Sequence, residues 1–401
     1  MSAIRRRLLP TLATLLLCLH TISARRLEPQ AVLQRIGETV REWQNWSPEL
    51  KSREPCTEAT PSGAAPARVR YLTRHTGTLW DWLTVAETLH LNWDRVNPDR
   101  LADTGMGSRA ADDVWRRNAS ALCGPDSDVL VYCDSVVDAR PALQNGCDKP
   151  IILVVTNRFD WQVSDPSAFL ATLKAAAGNE RVWEGLSLPS QRHLMLRPVG
   201  ASVLPPRPLA GDALGRFAVT VKSNRRRQPD KDVLLPQLKL LALDTLVKVY
   251  DDEYGGPATL AQHRGVIHLP YQVSLMSLYE TMAAGGLFVV PSFHFYRALR
   301  MRHRFGMSLL NLMSRAPREG LNWTRYVDFY HPTLEPGIVY FNSWEHLADL
   351  MRLPEDNPVW EAKREAGRSA MAAVRDESLV GWRQVLEQAA AAAGCPQLVG
   401  A

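Results

Sequence analysis

Cysteine is scarce in this chain, with 6 in 401 residues. Cys18 falls within an N-terminal apolar run, leaving Cys56, Cys123, Cys133, Cys147 and Cys395. An odd set of that size forms at most two disulfides and leaves a thiol over, and none of it has the spacing of a zinc site. Cys123, Cys133 and Cys147 lie nearest one another and are the first candidates for a pair, with the connectivity left open. There is no Gly-x-Ser-x-Gly elbow and no Walker loop, which removes the α/β-hydrolase and P-loop NTPase readings. Charge of one sign is also lacking: the formal net charge is +5, and Arg5, Arg6 and Arg7 supply three of those positive charges. So small an excess gives no nucleic-acid signal. A hydrophobic content of 46% with 22% charged residues is that of a globular chain, long enough for two cores.

The apolar runs are short as well. The longest, Leu8 to Leu19, is broken by Pro10 and falls short of the roughly 20 residues that span a bilayer. With the basic triplet before it and Thr21-Ile22-Ser23-Ala24 after it, residues 1–24 read as a cleaved signal peptide in preference to an uncleaved anchor. Either form sends the chain into the secretory lumen, in the Golgi or ER, as a secreted or a type II membrane protein. Membrane contact is expected only through this segment. Three N-glycosylation sequons begin at Asn45, Asn118 and Asn322, the first weakened by Pro48. Residues 25–67 read as a stem and linker: a helix from Pro29 to Trp46, then a stretch rich in Pro, Ala, Ser and Thr.

From residue 68 the pattern alternates. Val69–Leu72, Asp128–Cys133 and Ile151–Val155 read as strands, the first interrupted by Arg70. Helices are expected at Leu79–Leu91 with Thr78 as N-cap, at 109–122 and at Ser167–Ala177. The second and third strands are almost continuously apolar, as in parallel sheets covered on both faces. Residues 182–215 are irregular and hold the boundary near residue 200. The pattern then repeats: strand Phe217–Val221, helix Leu234–Ala242, strand Leu246–Tyr250, helix Ala258–His263. A further strand–helix–strand unit fills 265–292, with strand Val266–Leu269, helix Ser274–Ala284, the Gly285-Gly286 stop and strand Leu287–Val290. A basic helix follows to about Arg315, and 346–401 reads as a helical C-terminal tail. The fold class expected is α/β: two Rossmann-like parallel-sheet lobes, 68–200 and 201–345, facing a cleft.

The stretch Ser277-Leu278-Tyr279-Glu280-Thr281-Met282-Ala283-Ala284-Gly285-Gly286, set behind His268-Leu269-Pro270-Tyr271-Gln272-Val273-Ser274 and Tyr254-Gly255-Gly256-Pro257, resembles the carboxyl-terminal lobe of GT-B glycosyltransferases. Thr156 to Trp161 resembles the same branch in the first lobe. The resemblance implies a sugar-nucleotide donor on the second lobe and a glycan or glycoprotein acceptor on the first. It further implies no cofactor beyond the nucleotide sugar as co-substrate, and no metal. It makes Glu280 the partner of the donor ribose. Many retaining members carry a second glutamate eight places earlier; this chain has Gln272 there, which leaves the stereochemical outcome and the base open.

A sugar nucleotide needs hydroxyl acceptors, cover for its diphosphate and polar groups for its sugar. A carboxylate at Glu280 takes hydrogen bonds from two neighbouring hydroxyls. Lys222 and Arg197 at strand ends are the cations expected at the diphosphate, with Tyr271, Gln272 and Ser274 on the donor edge. Across the cleft, Asp160 and His75 are the candidate catalytic bases, beside Asn157, Arg158 and Gly77. The run Asp251-Asp252-Glu253 invites a metal, but neighbouring residues of one strand point apart. Two rivals stand beside the transferase reading. One is an inactive lobe pair acting as a lectin or scaffold; the other is a two-lobed receptor of the periplasmic-binding kind, which gives Glu280 no purpose.

Overall fold

The computed structural model describes residues 66–98, 106–156, 163–177, 182–184, 196–200, 213, 215–221, 228–251, 254–305, 322–395 and 398. All belong to one compact unit, Arg53–Ala401. Cys56, the N-terminal segment and the helix expected at 29–46 lie outside the described residues.

The first lobe contains, in chain order, β1 (Arg68–Thr73), α1 (Thr76–Thr88), β2 (Asn92–Val96), α2 (Ser108–Cys123), β3 (Val129–Cys133), α3 (Arg140–Gln144), β4 (Ile151–Val154), α4 (Pro166–Ala177) and β5 (Val182–Glu184). The second lobe begins with β6 (Phe217–Val221), a π-helical turn at Asp230–Leu234, α5 (Leu235–Leu240), β7 (Val247–Asp251), α6 (Pro257–Leu260) and β8 (Val266–Ile267). It continues through α7 (Met276–Ala283), β9 (Phe288–Pro291), α8 (Phe293–His303), β10 (Ile338–Phe341), α9 (Trp344–Arg352) and α10 (Pro358–Ala392).

Every strand pairing is parallel. The sheets run β2-β1-β3-β4-β5 and β10-β9-β8-β6-β7. Counted from the first strand of each lobe, both follow the order 2-1-3-4-5, the doubly wound arrangement that opens a crevice at the carboxyl ends of its first and third strands. The two-lobed α/β expectation therefore holds at the level of hydrogen-bonded ladders.

The differences in detail have physical reasons. Arg70 does not interrupt β1, because its guanidinium grips the Asp94 carboxylate of β2 at 2.7 and 3.1 Å and donates to the Ala121 carbonyl at 2.8 Å. β2 itself has no apolar signature, being an edge strand with every residue half-buried. Thr78 is not the cap of α1: the helix starts two residues earlier, and His75 Nδ1 accepts the Thr78 N–H at 3.3 Å. β10 sits among segments expected to be helical, yet Ile338–Phe341 pairs with β9 across its whole length. Cys123 and Cys147 form a disulfide that pins the end of α2 to the turn after α3, while Cys133 is a buried thiol on β3.

The C-terminal helix α10 is part of both cores. Trp360, Ala370, Met371 and Val374 pack with the second sheet, whereas Trp382, Leu386, Ala389 and Ala390 pack with Val69, Tyr71, Val129 and Val131 of the first. Trp82 of α1 stacks on Tyr71 with centroids 4.5 Å apart and meets Trp382 edge-on at 5.4 Å. Burying such rings is the main favourable term at this junction. Trp382→Ala is expected to lower unfolding stability by about 3–5 kcal/mol, measured by urea denaturation; a loss under 1 kcal/mol would show that the helix does not complete the first core.

Candidate active site

The carboxyl ends of the two sheets meet through α1 and α7. Gly77 stands in the first turn of α1 where the helices touch: a Cβ there would make ordinary contact, at 3.5 Å, with Cβ of Met276 at the start of α7 and would crowd the His75 ring at 2.9 Å. One turn further along α1, the Asp81 carboxylate accepts the backbone N–H groups of Val199 and Gly200 at 2.8 and 3.2 Å. From the opposite side Arg375 of α10 donates to the carbonyls of the same two residues at 3.1 and 3.3 Å. Gly200 takes φ +75°, and a Cβ on it would sit 2.6 Å from Cβ of Ala283. The connection between the lobes is thus held by helices from both sides and pressed against α7.

Glu280 lies in the middle of α7, only 5% exposed. Burial and the nearby Asp81 charge push its carboxyl up to about 7. Asp81 is likewise pushed to about 7, because burial outweighs its two backbone hydrogen bonds and the Arg375 charge. Among the described residues no arginine or lysine pairs with Glu280. A buried carboxylate without a cation is costly to the fold, which makes Glu280 a candidate for meeting ligand groups. Tyr254 stands close by: burial, Glu280 and Tyr271 together push its hydroxyl up to about 12. Gly255 and Gly256, next in sequence, both have positive φ and form the tight turn into α6.

Beside Glu280 on the same helix, Tyr279 faces a second buried acid, Asp328. Burial raises the Asp328 carboxyl, while the hydroxyls of Ser274 and Tyr279 and the Arg197 guanidinium pull it down. The Asp328 N–H also donates to the Val273 carbonyl at 3.0 Å, which fixes the loop between β8 and α7. Tyr271, Gln272 and Ser274 are partly exposed on that loop.

Of the residues singled out from sequence, Glu280, Tyr271, Gln272, Ser274 and Arg197 therefore gather around α7, with Gly77 and His75 on the facing end of α1. His75 uses Nδ1 as a helix cap, which leaves Nε2 as its nitrogen for other work. Arg197 belongs to the interlobe connection, with its backbone N–H on Ser378 Oγ at 3.2 Å. Asp160, Asn157, Arg158 and Lys222 lie outside the described residues, as do Asp252 and Glu253. Sequence reasoning passed over Asp81, Asp328 and Asp230. Among the described residues, the one group with metal-ligand geometry is Cys123, Cys147 and Asp148, and its two sulfurs are spent on the disulfide.

No family model matches the chain, and no curated protein sequence matches it. Solved structures to which it is similar include a glycotransferase of kitacinnamycin, at 10% identity and TM-score 0.40, covering 80% of this chain and 99% of that one. Another is described as a UDP-N-acetylglucosamine 2-epimerase from Listeria monocytogenes, at 9% identity and TM-score 0.41, covering 80% and 98%. The architecture itself rests on the chain's own parallel ladders.

The acid pair sets a pH dependence. Between about pH 4 and pH 7 the folded chain keeps protons on Asp81 and Glu280 that the unfolded chain has released, so stability falls as pH rises through that window. The double variant Asp81→Asn, Glu280→Gln should flatten the fall and gain roughly 1–3 kcal/mol over the parent at pH 7.5. Tm measured from pH 4.5 to 7.5 checks this; parallel curves for parent and variant would contradict it.

Proposed function

We propose that this chain is a GT-B-type glycosyltransferase that moves a sugar from a nucleotide-sugar donor to a hydroxyl of a glycan or glycoprotein acceptor. The observation that carries the reading is Glu280, a buried carboxylate without a cationic partner among the described residues, set in the helix between β8 and β9 and turned toward the other lobe. Ribose hydroxyls are the partners that such a group lacks: two neighbouring O–H groups donating to one ionised carboxylate. Tyr254 and Tyr271 beside it offer ring faces and hydroxyls to the nucleoside.

The chemistry this requires is positioning of donor and acceptor, with stabilisation of the departing diphosphate. His75 and Asp160 remain the first-lobe candidates for taking the acceptor proton, and Gln272 provides amide hydrogen bonds to the sugar where many relatives of the fold would provide a carboxylate. A lumenal setting is part of the reading. It is supported by the basic, apolar and small-residue pattern of residues 1–24, by the sequons, and by the Cys123–Cys147 disulfide, since such bonds persist in oxidising compartments.

Binding of ribose hydroxyls favours the ionised form of Glu280, so nucleotide affinity should rise as pH increases from 6 to 8. Thermal-shift and calorimetric titration with UDP, GDP, ADP and CDP test the reading. One of them should stabilise the parent, and Glu280→Ala should weaken its binding about 10–100-fold, the worth of a charge-assisted hydrogen-bond pair, without loss of fold. Equal affinity for parent and variant would remove Glu280 from the donor site; stabilisation by none of the four would favour the inactive scaffold.

A further inference from the structure

The second lobe holds a carboxylate–imidazole pair that the donor reading leaves unused. Asp230 and His268 are both buried, at 3% exposure each. His268 Nδ1 lies 2.5 Å from Asp230 Oδ2, while Asp230 Oδ1 accepts the Leu269 N–H at 2.7 Å. A carboxylate only accepts, so Nδ1 carries the hydrogen of that contact and Nε2 is the nitrogen left over. Nε2 is fully buried and has no hydrogen-bond partner among the described residues. A buried polar atom left in this state calls for an explanation.

Its place in the topology provides one. The chain leaves β6 for β7 on one side, then crosses back to β8 on the other, so the crevice between β6 and β8 is the topological switch point of this sheet. Asp230 opens the helical turn that follows β6, and His268 comes directly after β8, with its N–H still on the Val289 carbonyl at 3.0 Å. The pair therefore straddles the carboxyl-end crevice where doubly wound sheets take phosphate-bearing ligands. Around the imidazole stand Phe288, Phe329 and Tyr271. Tyr271, partly exposed, meets it edge-on with centroids 5.7 Å apart, and Tyr271 also neighbours Tyr254 near Glu280. The orphan nitrogen thus belongs to a ring packed against Tyr271, whose neighbour Tyr254 borders the proposed ribose partner.

We propose that Asp230 and His268 form a diphosphate contact of the donor site: once the Tyr271 ring turns aside, His268, with Nδ1–H kept on Asp230, takes up a solvent proton at Nε2 together with the ligand, and the resulting imidazolium donates Nε2–H to a diphosphate oxygen. This rests on the sugar-nucleotide reading above. Asp230 is a positioning residue: it fixes the ring and the side on which the second nitrogen is presented, while His268 touches the ligand.

Calorimetry with UDP and GDP beside uridine and guanosine, on the parent and His268→Gln, tests it. The variant should lose at least tenfold in affinity for the diphosphate while its affinity for the nucleoside stays within twofold. Equal diphosphate affinity, or an equal loss for nucleoside and diphosphate, overturns the assignment, the second because a merely structural residue would weaken both. If the parent binds neither of these, ADP and CDP with their nucleosides take their place, and if it binds none of the four diphosphates the donor reading falls and takes this proposal with it. Should His268→Gln not fold, nitrogen NMR of imidazole-labelled parent replaces it: the Nε2 resonance should move on addition of the diphosphate and not of the nucleoside, and a resonance indifferent to both overturns the proposal.

Discussion

The structure depends on the way residues 196–200 are held between the lobes. The N–H groups of Val199 and Gly200 go to Asp81 of the first lobe and their carbonyls to Arg375 of the last helix, and Gly200 admits the backbone against α7. Each element of that grip has a second consequence. Asp81 takes hydrogen bonds only by being half-buried beside Glu280, so the junction that joins the lobes also raises the acid proposed to meet the donor. Arg375 belongs to a helix whose two halves complete two different cores, so the same helix fixes the cores and the linker together. The site is thus supported by packing that would exist without a ligand, while Glu280 itself is an expense to the fold.

That division explains what could be read from the amino-acid order. β3 and β4 are unbroken apolar runs with both faces covered, and their strands were legible at once. So was the unit around Glu280, because a strand, an amphipathic turn, paired glycines and a second strand leave few other arrangements. β2 was not legible, since an edge strand that presents Asp94 to Arg70 lacks both apolar continuity and alternation. β10 was hidden by helical segments on either side, and only the β9 ladder reveals it. The N-cap of α1 was misplaced because a histidine, not the nearby threonine, supplies the acceptor.

The acids tell the same story at the level of chemistry. Asp81 sits between Trp80 and Trp82 on a helix, a setting that reads as a solvent-facing residue; its partners lie 118 and 119 residues further along. Asp230 and His268 are 38 residues apart, with no spacing rule to join them. Asp328 gains its meaning from Ser274 and Tyr279 of one stretch and Arg197 of another. Composition and periodicity report on neighbours in sequence, whereas these groups are assembled by topology. Glu280 was found because its immediate surroundings carry a pattern; the acids around it carry none.

The account requires that the cleft between these lobes bind and activate a nucleotide sugar. An enzyme that activates a nucleotide sugar releases some of it to water when no acceptor is present, so a panel of UDP-, GDP-, ADP- and CMP-linked sugars, followed by release of free nucleotide, reads binding and activation together. The account predicts slow release from one donor class, reduced at least tenfold in Glu280→Ala at donor concentrations below saturation. Release from none of them by a folded parent protein, under conditions where nucleotide binding is also absent, would contradict it.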